Sequence, residues 1–138
     1  MDSSFLVSSY ISDVNSLESD RRRSGEPNIW ITQLNRSEFA HATYRQVLRG
    51  TMNLAECNAL RSSFESDCEQ GIWIRVSFPD TVWQTSIDLA RRYGPMLGMR
   101  TLDSLHVACA LELKAERFWT FDERQARLAE AAGLNTKP

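Results

Sequence analysis

Four acidic residues stand where an extended or apolar stretch gives way to a helical pattern. Asp2 precedes Ser3-Ser4-Phe5-Leu6-Val7. Glu38 ends Asn35-Arg36-Ser37-Glu38, beyond Ile29-Trp30-Ile31. Asp103 lies in Arg100-Thr101-Leu102-Asp103-Ser104-Leu105-His106, and Asp122 follows Phe118-Trp119-Thr120-Phe121. In a parallel α/β sheet such handovers all fall at the carboxyl ends of the strands. Four carboxylates distant in sequence then meet at one rim. Like charges gather only around a cation, and hard divalent ions prefer carboxylate oxygen.

Each acid also has a local explanation. Asn35-Arg36-Ser37-Glu38 fits a capping box with Asn35 as N-cap, and Asp122-Glu123-Arg124-Gln125 fits the same pattern with Asp122 as the cap. Asp103 falls in a first helical turn, where the macrodipole favours an acid. Asp2 reads as a solvated terminal residue. Taken singly, capping is the better reading of each; convergence at one rim shifts the balance towards a site. Glu65, Asp67, Glu69 and Asp88 fall on mid-helix polar faces and share no such convergence. His41 and His106 follow Glu38 and Asp103 by three residues, but a hard-metal site prefers oxygen. His106 therefore reads as a hydrogen-bonded core residue and His41 as half-buried. No Ser/His/Asp arrangement is present.

The elements that must position these acids alternate. Helices are expected over residues 4–11, through the charged stretch Glu18 to Arg23 with stops at Gly25 and Pro27, and over 35–49, 51–70, 81–93, 101–115 and 123–132. Strands are expected over residues 28–32, 72–77 and 118–121, with a short one at 134–136. Gly94-Pro95 is expected to end the fifth helix, whose inward side carries Val82, Ile87, Ala90 and Tyr93. The helix over 101–115 is apolar almost all round, so it should be buried. Trp30, Trp73 and Trp119 read as core. Trp83 is the aromatic best placed to face a partner, with core the stronger alternative. Strands alternating with helices predict an α/β fold with a parallel sheet covered on its faces.

At 138 residues the chain is one domain with room for a real core. A net charge of −2 sets up no global basic field to attract nucleic acid. The basic residues are skewed, however, with only Lys114 and Lys137 against fourteen arginines, and guanidinium forks suit phosphate. Arg21-Arg22-Arg23 reads as a solvated helix end. No apolar stretch is long enough to span a membrane, and Met1-Asp2-Ser3 does not open a signal peptide. Cys57, Cys68 and Cys109 lack CxxC spacing and read as buried reduced thiols of a cytoplasmic protein.

At the level of motifs the chain resembles the PIN-domain ribonucleases, in particular the VapC-type toxins of bacterial toxin–antitoxin pairs. The likeness covers nearly the whole chain. Asp2-Ser3-Ser4-Phe5-Leu6-Val7 is similar to the family's first motif and Ser37-Glu38-Phe39-Ala40 to its second. Arg100 to Ala108 is similar to the third, and Trp119-Thr120-Phe121-Asp122-Glu123-Arg124-Gln125 to the fourth. The last two together are specific.

The resemblance implies a single PIN domain over 1–138, with a central parallel sheet of about five strands flanked by helices. It implies a Mg²⁺- or Mn²⁺-dependent endoribonuclease, the toxin of a type II pair, leaving 5′-phosphate and 3′-hydroxyl ends. RNA substrate, a small antitoxin and a homodimer follow as partners. Asp2, Asp103 and Asp122 are then metal ligands, and Glu38 binds a second metal or orients the attacking water. Ser4 and Thr120 support their neighbouring acids through hydroxyl hydrogen bonds, with local capping an equal alternative. Arg100 and Arg124 can hold substrate phosphates, against a slightly favoured reading as solvated or ion-paired charges. The alternative function is a PIN-fold nucleic-acid-binding or RNA-processing module with no toxin role. In the family an apolar strand precedes the first acid, whereas only Met1 precedes Asp2 here. The expectation is a first strand truncated before Asp2, with a native start upstream of Met1.

Overall fold

The computed structural model describes residues 1–25 and 28–137. The expected helix stop at Pro27 lies outside the described residues. The chain groups into two compact units, one of Met1–Phe5 with the segment from Phe78 onward, the other of Leu6–Ser77. Helix α1 (Ser3–Ser8) runs from the first into the second.

In the unit Leu6–Ser77, helix α2 (Ser16–Gly25) precedes strand β1 (Ile29–Ile31), helices α3 (Gln33–Leu48) and α4 (Leu54–Glu69), and strand β2 (Trp73–Arg75). The two strands pair in parallel with Ile29 opposite Trp73 and Ile31 opposite Arg75. A parallel pair needs a crossover, and α3 and α4 supply it. The core is aromatic. Tyr10, Phe39 and Phe64 meet with ring centroids 4.7–5.7 Å apart. The fully buried Trp73 donates its indole N–H to the Tyr10 hydroxyl at 2.6 Å. Tyr10 in turn donates to Asp67. Burial and that carboxylate push the phenol's pKa well up. Glu65 ties α3 to β2 by accepting from Arg36 and Arg75.

Helix α3 starts one turn before the expected place. Its N-cap is Thr32, whose hydroxyl accepts from the Asn35 N–H while the Asn35 side chain accepts from Thr32. Asn35 is therefore the third residue of the capping box and not its cap. Glu38 falls in the second turn. Trp30, expected in the core, is 39% exposed, because the three-residue strand turns only its outer two side chains inward.

In the other unit, helices α5 (Val82–Leu97), α6 (Thr101–Glu112) and α7 (Glu123–Ala131) pack on one another. Helix α6 is buried without interruption from Ser104 to Ala110, as its apolar composition requires. Thr81 and Thr85 both donate to Glu112, fixing the start of α5 to the end of α6. Gly94-Pro95 does not end α5. Pro95 removes one donor near the helix terminus, where the carbonyl that loses its i+4 partner is that of exposed Arg91. The stop comes at Gly98, whose φ of 58° puts it in the left-handed region that ends helices. The inward face is Val82, Ser86 and Leu89; Ile87 is 53% and Trp83 58% exposed.

Among the described residues there are two regular strands and one isolated parallel bridge, Arg117 to Asn135, where about five strands were expected. The expected strands at 118–121 and 134–136 meet only there, through the Phe118 N–H on the Asn135 carbonyl at 2.8 Å. The reason is local. The N–H groups of Phe121 and Asp122 go to hydroxyls of Ser4 and Thr120, so no ladder continues. All three cysteines are buried and free.

Candidate active site

Asp2 caps α1. Its Oδ1 accepts from the Ser4 N–H (3.1 Å), the Ser4 hydroxyl (2.8 Å) and the Phe5 N–H (3.3 Å). It is not the solvated terminal residue of the local reading: only 4% of it is exposed. Burial raises its carboxyl pKa, opposed first by the imidazole of His106 and then by the Ser4 hydroxyl. Its backbone N–H donates to the Trp119 carbonyl at 2.9 Å. The Phe5 ring lies tilted against Trp119 and stacked on Phe121, with centroids at 5.0 and 5.5 Å.

Ser4 joins two of the acids. Its hydroxyl donates to Asp2 and accepts the Phe121 N–H at 2.8 Å. Two hydrogen bonds thus connect the Asp2 carboxylate with the backbone beside Asp122. A hydroxyl held between an acceptor and a donor has its proton direction fixed. Thr120 does less: its hydroxyl accepts the Asp122 N–H at 2.9 Å.

Asp122 is the N-cap of α7, its Oδ1 accepting from the N–H groups of Arg124 and Gln125 at 2.9 and 3.0 Å. Asp103, half-buried in the first turn of α6, accepts the Arg100 N–H on Oδ2 at 2.9 Å. The capping readings are therefore real for Asp2, Asp103 and Asp122. They are not exclusive. In each case a single oxygen carries these backbone hydrogen bonds.

His106 lies one turn after Asp103 on α6, so both side chains leave the same helix face. It is 5% exposed and near enough to Asp2 for its charge to favour the carboxylate. The sequence reading placed it in the core and missed that neighbour; the three-residue spacing from Asp103 was the available signal. Gln125 was also missed: its Oε1 and the Nε1 of Trp119 are buried without a hydrogen-bond partner among the described residues. Arg100 is exposed and Arg124 half-buried, and neither is ion-paired among the described residues. Glu38 is half-buried on α3 in the unit Leu6–Ser77. His41 is exposed, not half-buried.

The donors suit a hard divalent cation in kind, because each aspartate presents a carboxylate oxygen anchored through its twin. A complete ligand set is not drawn together. Among the described residues no three His, Cys, Asp or Glu side chains are grouped so as to hold a metal ion.

The family model described as PIN domain matches residues 1–131 of the chain. No curated protein matches it. Among the described residues no helix is long and apolar enough to cross a membrane.

Proposed function

Because the chain belongs to the PIN domain family, we propose that it is a metal-dependent endoribonuclease acting as the toxin of a type II toxin–antitoxin pair. The observation that carries the reading is the Ser4 bridge, which connects buried Asp2 with the segment that presents Asp122. A buried carboxylate with a raised pKa is unfavourable for folding, and such groups concentrate at functional sites. Asp2, Asp103 and Asp122 are the proposed ligands of Mg²⁺ or Mn²⁺, with Glu38 a fourth acid on its motif alone. When bound, the ion supplies positive charge to the phosphodiester and activates water. The chain's own part is to hold each ligand oxygen by its twin on backbone N–H groups, and to place the Arg100 and Arg124 guanidiniums for substrate phosphate. The toxin role rests on the third and fourth motifs. An antitoxin or a second copy of the chain is proposed as partner, and the exposed Trp83 and Ile87 on α5 offer an apolar strip for it.

The test is cleavage of a total RNA pool in Mn²⁺ by the wild type and by Asp103→Asn. Cleavage by the first alone, with 5′-phosphate ends, supports the proposal. A specific observation favours the second reading, a PIN-fold binding or RNA-processing module without toxin role: among the described residues no three-donor group is assembled. Metal-independent RNA binding with no cleavage by either protein would establish it.

Ser4 is proposed as a positioning residue. Ser4→Ala is expected to weaken Mn²⁺ binding, read by calorimetry, by about 10–100-fold. Ser4→Thr, which keeps the hydroxyl, should restore most of it. Equal Mn²⁺ affinity in all three proteins would reduce Ser4 to a local cap.

A further inference from the structure

The unit Leu6–Ser77 holds eight arginines. Five are neutralised: Arg21 and Arg22 by Glu18, Arg23 by Asp20, Arg36 and Arg75 by Glu65. Arg45, Arg49 and Arg61 have no carboxylate partner among the described residues, and they are not scattered. Arg45 lies on α3 and Arg49 is its C-cap, four residues on. His41 is four residues before Arg45. All three are exposed. A helix rises 1.5 Å per residue, so they form a line with steps of about 6 Å.

The neighbouring stripe of α3 carries Tyr44, 42% exposed, and Leu48, 87% exposed. From α4, Arg61 reaches across to donate to the Tyr44 hydroxyl at 2.8 Å, its guanidinium 5.4 Å from the ring centroid. Cations four residues apart on a helix repel each other. In a chain of net charge −2, where every other arginine of this unit has found an acid, that repulsion is a local exception.

We propose that the outer face of α3, with His41, Arg45 and Arg49 in line and the Arg61–Tyr44 pair beside them, is a docking surface for the phosphate backbone of single-stranded RNA. Guanidiniums without acids supply the charge complementarity. The exposed tyrosine under a guanidinium is a flat platform on which an unpaired base can stack. An acidic polypeptide would match the charge but has no use for that platform. The surface does not depend on the nuclease reading, because binding can be measured where cleavage is impossible.

The measurement is fluorescence anisotropy of a labelled single-stranded RNA of about 20 nucleotides, with the full chain in EDTA over a range of salt. Arg45→Gln/Arg49→Gln is expected to bind roughly tenfold more weakly, with a salt slope shallower by about 1.4, or about 0.7 per arginine. Arg61→Gln should give half that change in slope. Arg21→Gln/Arg22→Gln alters the net charge equally at paired arginines and should bind as the wild type does. Arg21, Arg45 and Arg49 are exposed and Arg22 and Arg61 half-buried, so the melting temperature of Arg45→Gln/Arg49→Gln should stay within about 2 °C of the parent, and binding by the other variants is compared at a temperature where each is folded.

Unchanged affinity and slope in Arg45→Gln/Arg49→Gln would overturn the proposal. So would an equal loss in the Arg21/Arg22 control, which would reduce the effect to overall charge. Displacement of the RNA by polyglutamate at equal charge concentration would assign the face to an acidic protein instead. Loss of binding in EDTA leaves the cleavage result with Asp103→Asn untouched, so the two readings fail separately.

Discussion

Asp2→Asn is expected to abolish Mn²⁺-dependent RNA cleavage while raising the melting temperature of the metal-free protein at neutral pH. Asparagine keeps the Oδ1 acceptor that Ser4 and Phe5 use, so the cap survives and only the charge is lost. Removing a hydrogen-bond partner of a metal ligand already lowers affinity or activity about 10–100-fold. Removing the ligand's own charge should therefore lower cleavage by at least about 100-fold. Stability moves the other way because burial raises the pKa of Asp2. A raised carboxyl pKa means that the folded state binds the proton more tightly, so the ionised form opposes folding. That cost is absent below the unfolded-state pKa of about 3.9. It grows as pH rises and is complete above the folded-state pKa. Thermal scans in EDTA should show the asparagine variant above the wild type near pH 7.5 and the gap closing towards pH 4. A wild type that is the more stable at pH 7.5 would mean that His106 and Ser4 compensate the buried charge fully.

The capping motifs were legible in the sequence in kind, and one of them not in register. Asp122 caps α7 as expected, but the reciprocal half of the Asp122-x-x-Gln125 box is not made, because the Gln125 Oε1 has no hydrogen-bond partner among the described residues. For α3, two overlapping candidates compete, Thr32-x-x-Asn35 and Asn35-x-x-Glu38. The first wins because it lets the helix begin directly behind β1, whose outer residues Ile29 and Ile31 are buried. Gly94-Pro95 looked like a stop, but a proline near the end of a helix removes a single donor, and the left-handed residue comes four positions later at Gly98. Periodicity put Ile87 inward where Ser86 is. Ser86 is buried because its hydroxyl pairs with that of Ser104, 2.8 Å away, and no hydropathy pattern contains that partner.

The four acids stand out in the sequence by their place between extended and helical segments, with the hydroxyls of Ser4 and Thr120 beside two of them. What could not be read was the wiring. That Ser4 serves both Asp2 and the backbone of Phe121, 117 residues on, depends on two segments lying side by side. The missing ladder at 118–121 has the same origin. Hydroxyls take the N–H groups that a longer ladder would have used, so Ser4 and Thr120 stand where the regular structure ends.

Phe5→Ala should cost about 3–5 kcal/mol of stability, in the range for truncating a buried aromatic ring. For a chain of this size that is about 10 °C or more in melting temperature. Phe5 is fully buried, and its ring lies against both Trp119 and Phe121. Contacts of that kind add about 0.5–1.5 kcal/mol each beyond area burial. A typical domain is stable by only about 5–15 kcal/mol, so the substitution removes a large share of the whole. Leu17→Ala, at a residue 88% exposed, should stay within about 0.5 kcal/mol and serves as the control. The consequence reaches the acids. Phe5 donates its N–H to Asp2, and its ring fixes the turn that carries Ser4. At a temperature where the variant remains folded, Mn²⁺ affinity should still fall, because Asp2 and Phe121 are no longer held in register. Denaturant melts and metal titration on the same sample separate the two effects. A stability loss with unchanged Mn²⁺ affinity would show that the Ser4 bridge holds the register without the ring, and a loss below about 1 kcal/mol would show that Phe5 anchors neither.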